Sequence, residues 1–141
     1  MPRFLRLAGV LAVAGFATML FGGNMHHGCW QTRIPAKARN RPNPLASDPG
    51  AVRAGAKLFE QHCAQCHGST AEGKKGPNLR SHHIAQATPG EIEWLLTNGI
   101  LEHGMPSWSR LPEPQRWQLV SYLKSLQQGH PEGIGETELR H

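Results

Sequence analysis

Two cysteines three residues apart, followed at once by a histidine, stand in His62-Cys63-Ala64-Gln65-Cys66-His67. Thiols at that spacing share one helical turn, and each can add across one vinyl group of a haem laid against it. The next residue then brings an imidazole over the iron. The same residue types admit two other chemistries. A thioredoxin-type redox pair would want an α/β pattern, which is missing here, and a zinc site would draw on His67, His82 or His83. The adjoining histidine favours one covalent haem c held through Cys63 and Cys66, with His67 on the iron.

A sixth ligand can be sought by elimination. Of the four methionines, Met1 and Met19 belong to the N-terminal apolar stretch and Met25 to its edge, which leaves Met105. It lies 38 residues after His67, between Gly104 and Pro106. A loop that leaves one helix and enters the next past the open haem face suits a distal ligand better than a gap-filling core methionine. Among the histidines, His62 lies on the wrong side to reach that face. His82 and His83 sit in a long loop and read as surface residues, while His103, two residues before Met105, could compete if the loop rearranged.

These side chains need helices to place them. Asp48 is a good N-cap with Pro49 at the first helical position, and the helix it opens is expected to run to about Cys66. Val52, Gly55, Ala56, Phe59 and Cys63 fall on one face, with Arg53, Lys57 and Glu60 in water. Gly68 to Ala87 carries no periodic apolar pattern and reads as a long loop that needs something to wrap around. Thr88-Pro89-Gly90-Glu91 reads as a capping box opening a helix with Ile92, Leu95, Leu96 and Ile100 on one face. A last helix over about 113–127 carries Trp117, Val120, Leu123 and Lys124 at the helical period, with the apolar face widened by Leu119, Tyr122 and Leu126. The expected fold is all-α, three to four helices wrapped around one covalent haem. A core of some 81 residues is marginal without such a staple.

The rest of the chain divides by composition. Arg3 and Arg6 precede fifteen uncharged residues, Leu7 to Phe21, on the boundary between a secretory core and a short spanning helix. Residues 1–23 are therefore a signal peptide or membrane anchor, and the lack of an A-x-A cleavage site favours the anchor. Residues 24–47, with Pro35, Pro42 and Pro44 and few large apolar side chains, read as an extended basic linker drawn at most to anionic lipid. Residues 48–128 form the haem domain and 129–141 a mobile tail. The formal charge of +5 is no nucleic-acid signal, because residues 1–47 hold six of the fifteen Lys and Arg and no acid. From Asp48 onward nine bases face ten acids. Lys74 and Lys75, in the loop after the haem motif, read as a solvated pair.

Residues 48 to 128, about 57% of the chain, resemble the small single-haem class I cytochromes c of bacteria. Gly55 and Phe59 on the first helix, meeting Tyr122 with Trp117 alongside on the last, match the family's helix pairing. Gly76-Pro77-Asn78-Leu79 matches the segment after the haem motif. The resemblance implies that the Pro77 carbonyl accepts the Nδ1–H of His67, that Met105-Pro106 is the distal motif and that Trp108 walls the haem.

Imidazole and thioether on opposite faces would raise the reduction potential and leave no substrate position. The expected function is therefore one-electron transfer between a redox donor and acceptor, and not catalysis. The haem domain is expected in the periplasm, tethered to the cytoplasmic membrane by the N-terminal segment or soluble there after cleavage. It would act as a carrier or as the haem subunit of a larger oxidase, reductase or quinoprotein dehydrogenase. The alternative is a haem sensor or catalytic haem protein in which Met105 dissociates.

Overall fold

The computed structural model describes residues 30–128. The signal or anchor expected over 1–23 and the tail expected over 129–141 lie outside them, as does Cys29. Among the described residues no helix is long and apolar enough to cross a membrane. Within the described residues six α-helices follow one another: α1 Ala36–Arg39, α2 Pro49–His62, α3 Ala64–His67, α4 His82–Gln86, α5 Pro89–Asn98 and α6 Glu113–Gln128. Single 3-10 turns stand at Gln31–Arg33 and Leu101–His103. No strand forms among the described residues; the extended pairing is an isolated antiparallel bridge between Ile100 and Met105.

Helices α2 and α6 build the frame. Asp48 caps α2 by accepting from the Gly50 amide at 2.7 Å, with Pro49 in the first turn. Phe59 is 1% exposed and its ring lies 5.3 Å from that of Tyr122, tilted by 52°. Such an aromatic pair adds ~0.5–1.5 kcal/mol beyond the area it buries. The two backbones touch at Gly55, where an added Cβ would stand 2.0 Å from the Gln118 carbonyl oxygen and 2.8 Å from the Tyr122 Cβ. Trp117, Leu119, Val120 and Leu123 of α6 complete the core with Ile92 and Leu96 of α5, Ile84 of α4 and Ala71. Arg53, Lys57 and Glu60 are exposed, as the helical period requires.

The capping box is present in full. The Thr88 hydroxyl accepts from the Glu91 amide at 3.2 Å and the Glu91 carboxylate accepts from the Thr88 amide at 2.8 Å. Three local expectations change. Helix α2 stops at His62, because Cys63 leaves helical geometry at φ −118° before α3 resumes. The long loop folds one short helix, α4, whose Ile84 is buried and whose end is held by Lys124 Nζ donating to the Ala85 and Ala87 carbonyls at 2.7 and 3.1 Å. Helix α5 ends at Asn98, so Ile100 leaves the helical face and pairs with Met105.

The largest difference concerns residues 30–47, expected as a solvated tether. They form a strap packed on the domain: Ile34 is 5% exposed, and Trp30 and Leu45 lie against the core. The Arg39 carbonyl accepts from the Thr88 hydroxyl at 2.7 Å, and Arg39 Nε pairs with Glu91 at 3.0 Å. Arg33 pairs with Glu102, and Arg41 pairs with Glu93 and Glu113 while lying 5.1 Å over the Trp117 ring. Asn43 Nδ2 donates to Ser121 Oγ at 2.8 Å. The segment has few large apolar residues, but Arg39 and Arg41 meet carboxylates on α5 and α6, two of which, Glu91 and Glu93, are nearly buried, and Arg33 meets Glu102 on the turn after α5.

Candidate haem-binding site

The attachment turn is made by the break at Cys63. The Cys63 carbonyl accepts from the amides of Cys66 and His67 at 3.0 and 2.9 Å, so both thiols and the imidazole are carried by one turn. Neither cysteine is in a disulfide. Burial, with Cys66 beside it, pushes the Cys63 thiol up to about 11. Among the described residues no three His, Cys, Asp or Glu side chains converge as a metal cluster, and no strand accompanies the cysteines. The zinc and thioredoxin readings find no support in either fact.

The chain then wraps around His67. The Gly76 amide donates to the Cys66 carbonyl and the Gly73 amide to the His67 carbonyl, both at 2.7 Å. The turn so closed brings the Pro77 carbonyl oxygen 2.9 Å from His67 Nδ1. That contact assigns Nδ1 as the donor and leaves Nε2 as the lone-pair nitrogen. Leu79 beyond it lies half-buried on the core, and its carbonyl accepts from Gln127 of α6 at 2.8 Å.

Met105 is half-buried against the core on the loop between α5 and α6. Its backbone is pinned on both sides: the Ile100 amide donates to its carbonyl at 2.9 Å and its own amide donates to the Ile100 carbonyl at 3.1 Å. Three residues on, the Trp108 ring lies 5.1 Å from that of His62 and its amide donates to Leu96 at 2.8 Å. The His62–Trp108 pair therefore joins the Met105 loop to the attachment turn. His62 is half-buried against Trp108, while His82, His83 and His103 are exposed, as are Lys74 and Lys75. The sequence reading overlooked Ile100, Ser107 and Arg116 as supports of this loop. Ser107 Oγ donates to the Thr97 carbonyl at 2.6 Å, and Arg116 reaches the Leu111 carbonyl. Short loop hydrogen bonds of this kind leave no periodic signal.

Cys63, Ala64, Leu79, Met105, Trp108 and Leu111 pack on the core yet remain only partly buried. Contributed by the attachment turn, the proximal segment and the methionine loop, they offer the apolar surface that a planar macrocycle covers. Two free thiols, an imidazole with a defined lone pair and that apolar surface fit a covalently bound haem c.

These features define a c-type cytochrome domain. A family model described as cytochrome C oxidase, cbb3-type, subunit III, matches residues 50–123, and the chain belongs to that family. It is 37% identical over 85 residues to the cbb3-type cytochrome c oxidase subunit CcoP of Rubrivivax gelatinosus, covering 58% of this chain and 28% of that protein. It is 33% identical over 134 residues to the quinohemoprotein alcohol dehydrogenase ADH-IIG of Pseudomonas putida, covering 89% of this chain and 17% of that protein. Among solved structures it resembles cytochrome CL of Methylophaga aminisulfidivorans, with a TM-score of 0.53 and 26% identity over 60% of this chain and 58% of that one. The chain thus spans under a third of the length of these curated relatives, as a haem c domain.

Proposed function

We propose that this protein transfers single electrons through a haem c that Cys63 and Cys66 would hold covalently, with His67 and Met105 as the two residues that would ligate its iron. Haem c supplies an iron that alternates between ferric and ferrous states. The chain's own residues do the rest. The Pro77 carbonyl holds the His67 ring plane and tautomer, the supporting role that a metal-bound imidazole needs. Cys63 and Cys66 fix the macrocycle to α3. Leu79, Trp108 and Leu111 exclude water and keep the pocket poorly polar, which together with a thioether ligand favours the ferrous state.

The observation that carries this reading is the fastening of Met105. A methionine pinned by two hydrogen bonds to Ile100 and packed on the core is suited to stay on the iron in both oxidation states. No position is then left for a substrate, and the chemistry is outer-sphere electron transfer. Its setting is a respiratory or dehydrogenase chain, as a carrier or as a haem module beside a larger complex. The oxidase subunit and the alcohol dehydrogenase it resembles support the module reading. The arginines and apolar run before residue 22 support a periplasmic haem domain tethered to the membrane. Spectra of the oxidised and reduced full chain, with and without carbon monoxide, test the core of this. The expected result is a sulfur-to-iron charge-transfer band and no carbon monoxide shift; ready carbon monoxide binding by the native ferrous protein would overturn it. Fractionation of membranes with and without detergent tests the tether.

A further inference from the structure

Glu93 is 4% exposed, on the side of α5 that meets both the strap and the methionine loop. One carboxylate oxygen accepts from Arg116 Nε at 2.9 Å and from the Thr97 hydroxyl at 2.9 Å; the other pairs with Arg41 at 3.3 Å. Arg116 is itself almost enclosed, its side chain 11% exposed. Its Nη1 donates to the carbonyls of Leu111 and Ser109. Those two carbonyls belong to the return leg of the Met105 loop, where the Leu111 amide also donates to the Trp108 carbonyl at 3.0 Å. The outgoing leg is held by the Ile100–Met105 bridge, and the return leg by Ser107, Trp108 and this guanidinium.

A nearly buried ion pair is no general source of stability, since desolvation of two charges cancels much of their attraction. What this one does that an apolar pair could not is grip backbone oxygens. The planar fork of an arginine can hold a carboxylate by one nitrogen and turn another on the loop; a lysine's N–H donors all radiate from one nitrogen, which cannot stand in both of those places. We infer that Glu93 and Arg116 are positioning residues for Met105: the pair anchors the return leg of its loop and so keeps the thioether on the iron. The inference rests on the reading of Met105 as the distal ligand.

The test uses the full haem-loaded chain and imidazole as a probe that competes with Met105 for ferric iron. The variants are Arg116→Lys, which keeps a cation opposite Glu93 but cannot also reach the loop, and Glu93→Gln. Lys124→Met serves as a control, because it removes the hydrogen bonds to Ala85 and Ala87 far from the loop. Apparent ligand affinity scales with the fraction of molecules in the binding-competent form. Imidazole affinity is therefore expected to rise at least tenfold in Arg116→Lys and Glu93→Gln, with loss of charge-transfer intensity. Lys124→Met should keep wild-type affinity even where its denaturation midpoint falls as far. Unchanged affinity in a folded Arg116→Lys protein overturns the inference, as does an equal rise in Lys124→Met. A wild-type protein that lacks the charge-transfer band would instead refute Met105 ligation, which separates the two failures.

Discussion

Replacing Gly90 with alanine separates two physical arguments that predict opposite signs. Gly90 is the second residue of α5, and by helix propensity alone an alanine there gains up to about 1 kcal/mol. The strap reverses this. A Cβ at Gly90 would stand 2.1 Å from the Ala38 carbonyl oxygen, 2.9 Å from that of Arg41 and 3.0 Å from that of Arg39, all backbone atoms. Reaching an ordinary contact of 3.4 Å from 2.1 Å means a displacement of about 1.3 Å between α1 and α5. A shift of that size breaks the Thr88–Arg39 hydrogen bond, now 2.7 Å, and opens the Arg39–Glu91 pair, now 3.0 Å. Overpacking costs ~1–3 kcal/mol and a lost hydrogen bond ~0.5–1.5 kcal/mol. After the propensity gain, the net loss is about 2 kcal/mol, or roughly 8–16 °C in a domain of this size. Thermal and denaturant unfolding of the haem-loaded protein read the loss, and limited proteolysis reads the strap, with earlier cleavage expected after Arg39. A Gly90→Ala protein of wild-type or greater stability, with unchanged cleavage, would refute the claim that residues 30–47 are part of the fold.

Other outcomes follow from the same contacts. Gly55→Ala places a Cβ 2.0 Å from the Gln118 carbonyl oxygen and should cost about 3 kcal/mol or more, read as a fall in holoprotein yield and unfolding midpoint. Met105→Ala should give a protein that binds carbon monoxide when reduced and has a lower reduction potential; a variant that matches the wild type in both would remove Met105 from the iron. The Arg41 guanidinium, and after it the Trp117 indole N–H, hold the Glu113 carboxyl below the ordinary carboxylate range. Because the folded value is the lower one, the stabilisation is complete above the ordinary value of about 4.3 and is lost as pH falls through the lowered one. Glu113→Gln should therefore differ from wild type at neutral pH and converge with it in acid; a pH-independent difference would contradict the pairing.

What the sequence made legible were features carried by few residues close together. The thioether spacing of Cys63 and Cys66, the Asp48 cap and the Thr88–Glu91 box each depend on side chains within four positions, so their geometry follows from the chain itself. The buried face of α6 and the Gly55 and Phe59 positions of α2 follow from the helical period in the same way; Ala51, which is also buried, did not. The strap was hidden because its stability comes from partners more than 45 residues away, such as Thr88 for Arg39 and Glu113 for Arg41. A proline- and arginine-rich segment looks solvated until buried acids such as Glu93 are set beside it. The break at Cys63 and the exit of Ile100 from α5 carry no composition signal, since each is one residue leaving helical angles where tertiary contacts win over propensity.

The packed strap also sets how far the haem domain can travel from anything attached ahead of it. As a flexible coil, the 18 residues from Trp30 to Ser47 would give an arm with a reach of roughly 23 Å. Folded onto α5 and α6, they add nothing to that reach. Trp30 lies in a groove with Pro77, Asn78 and Leu79, so the chain joins the domain beside the segment that orients His67. Residues 30–47 therefore lend the domain no radius of search, and the chain enters it beside the Pro77 carbonyl that meets His67 Nδ1.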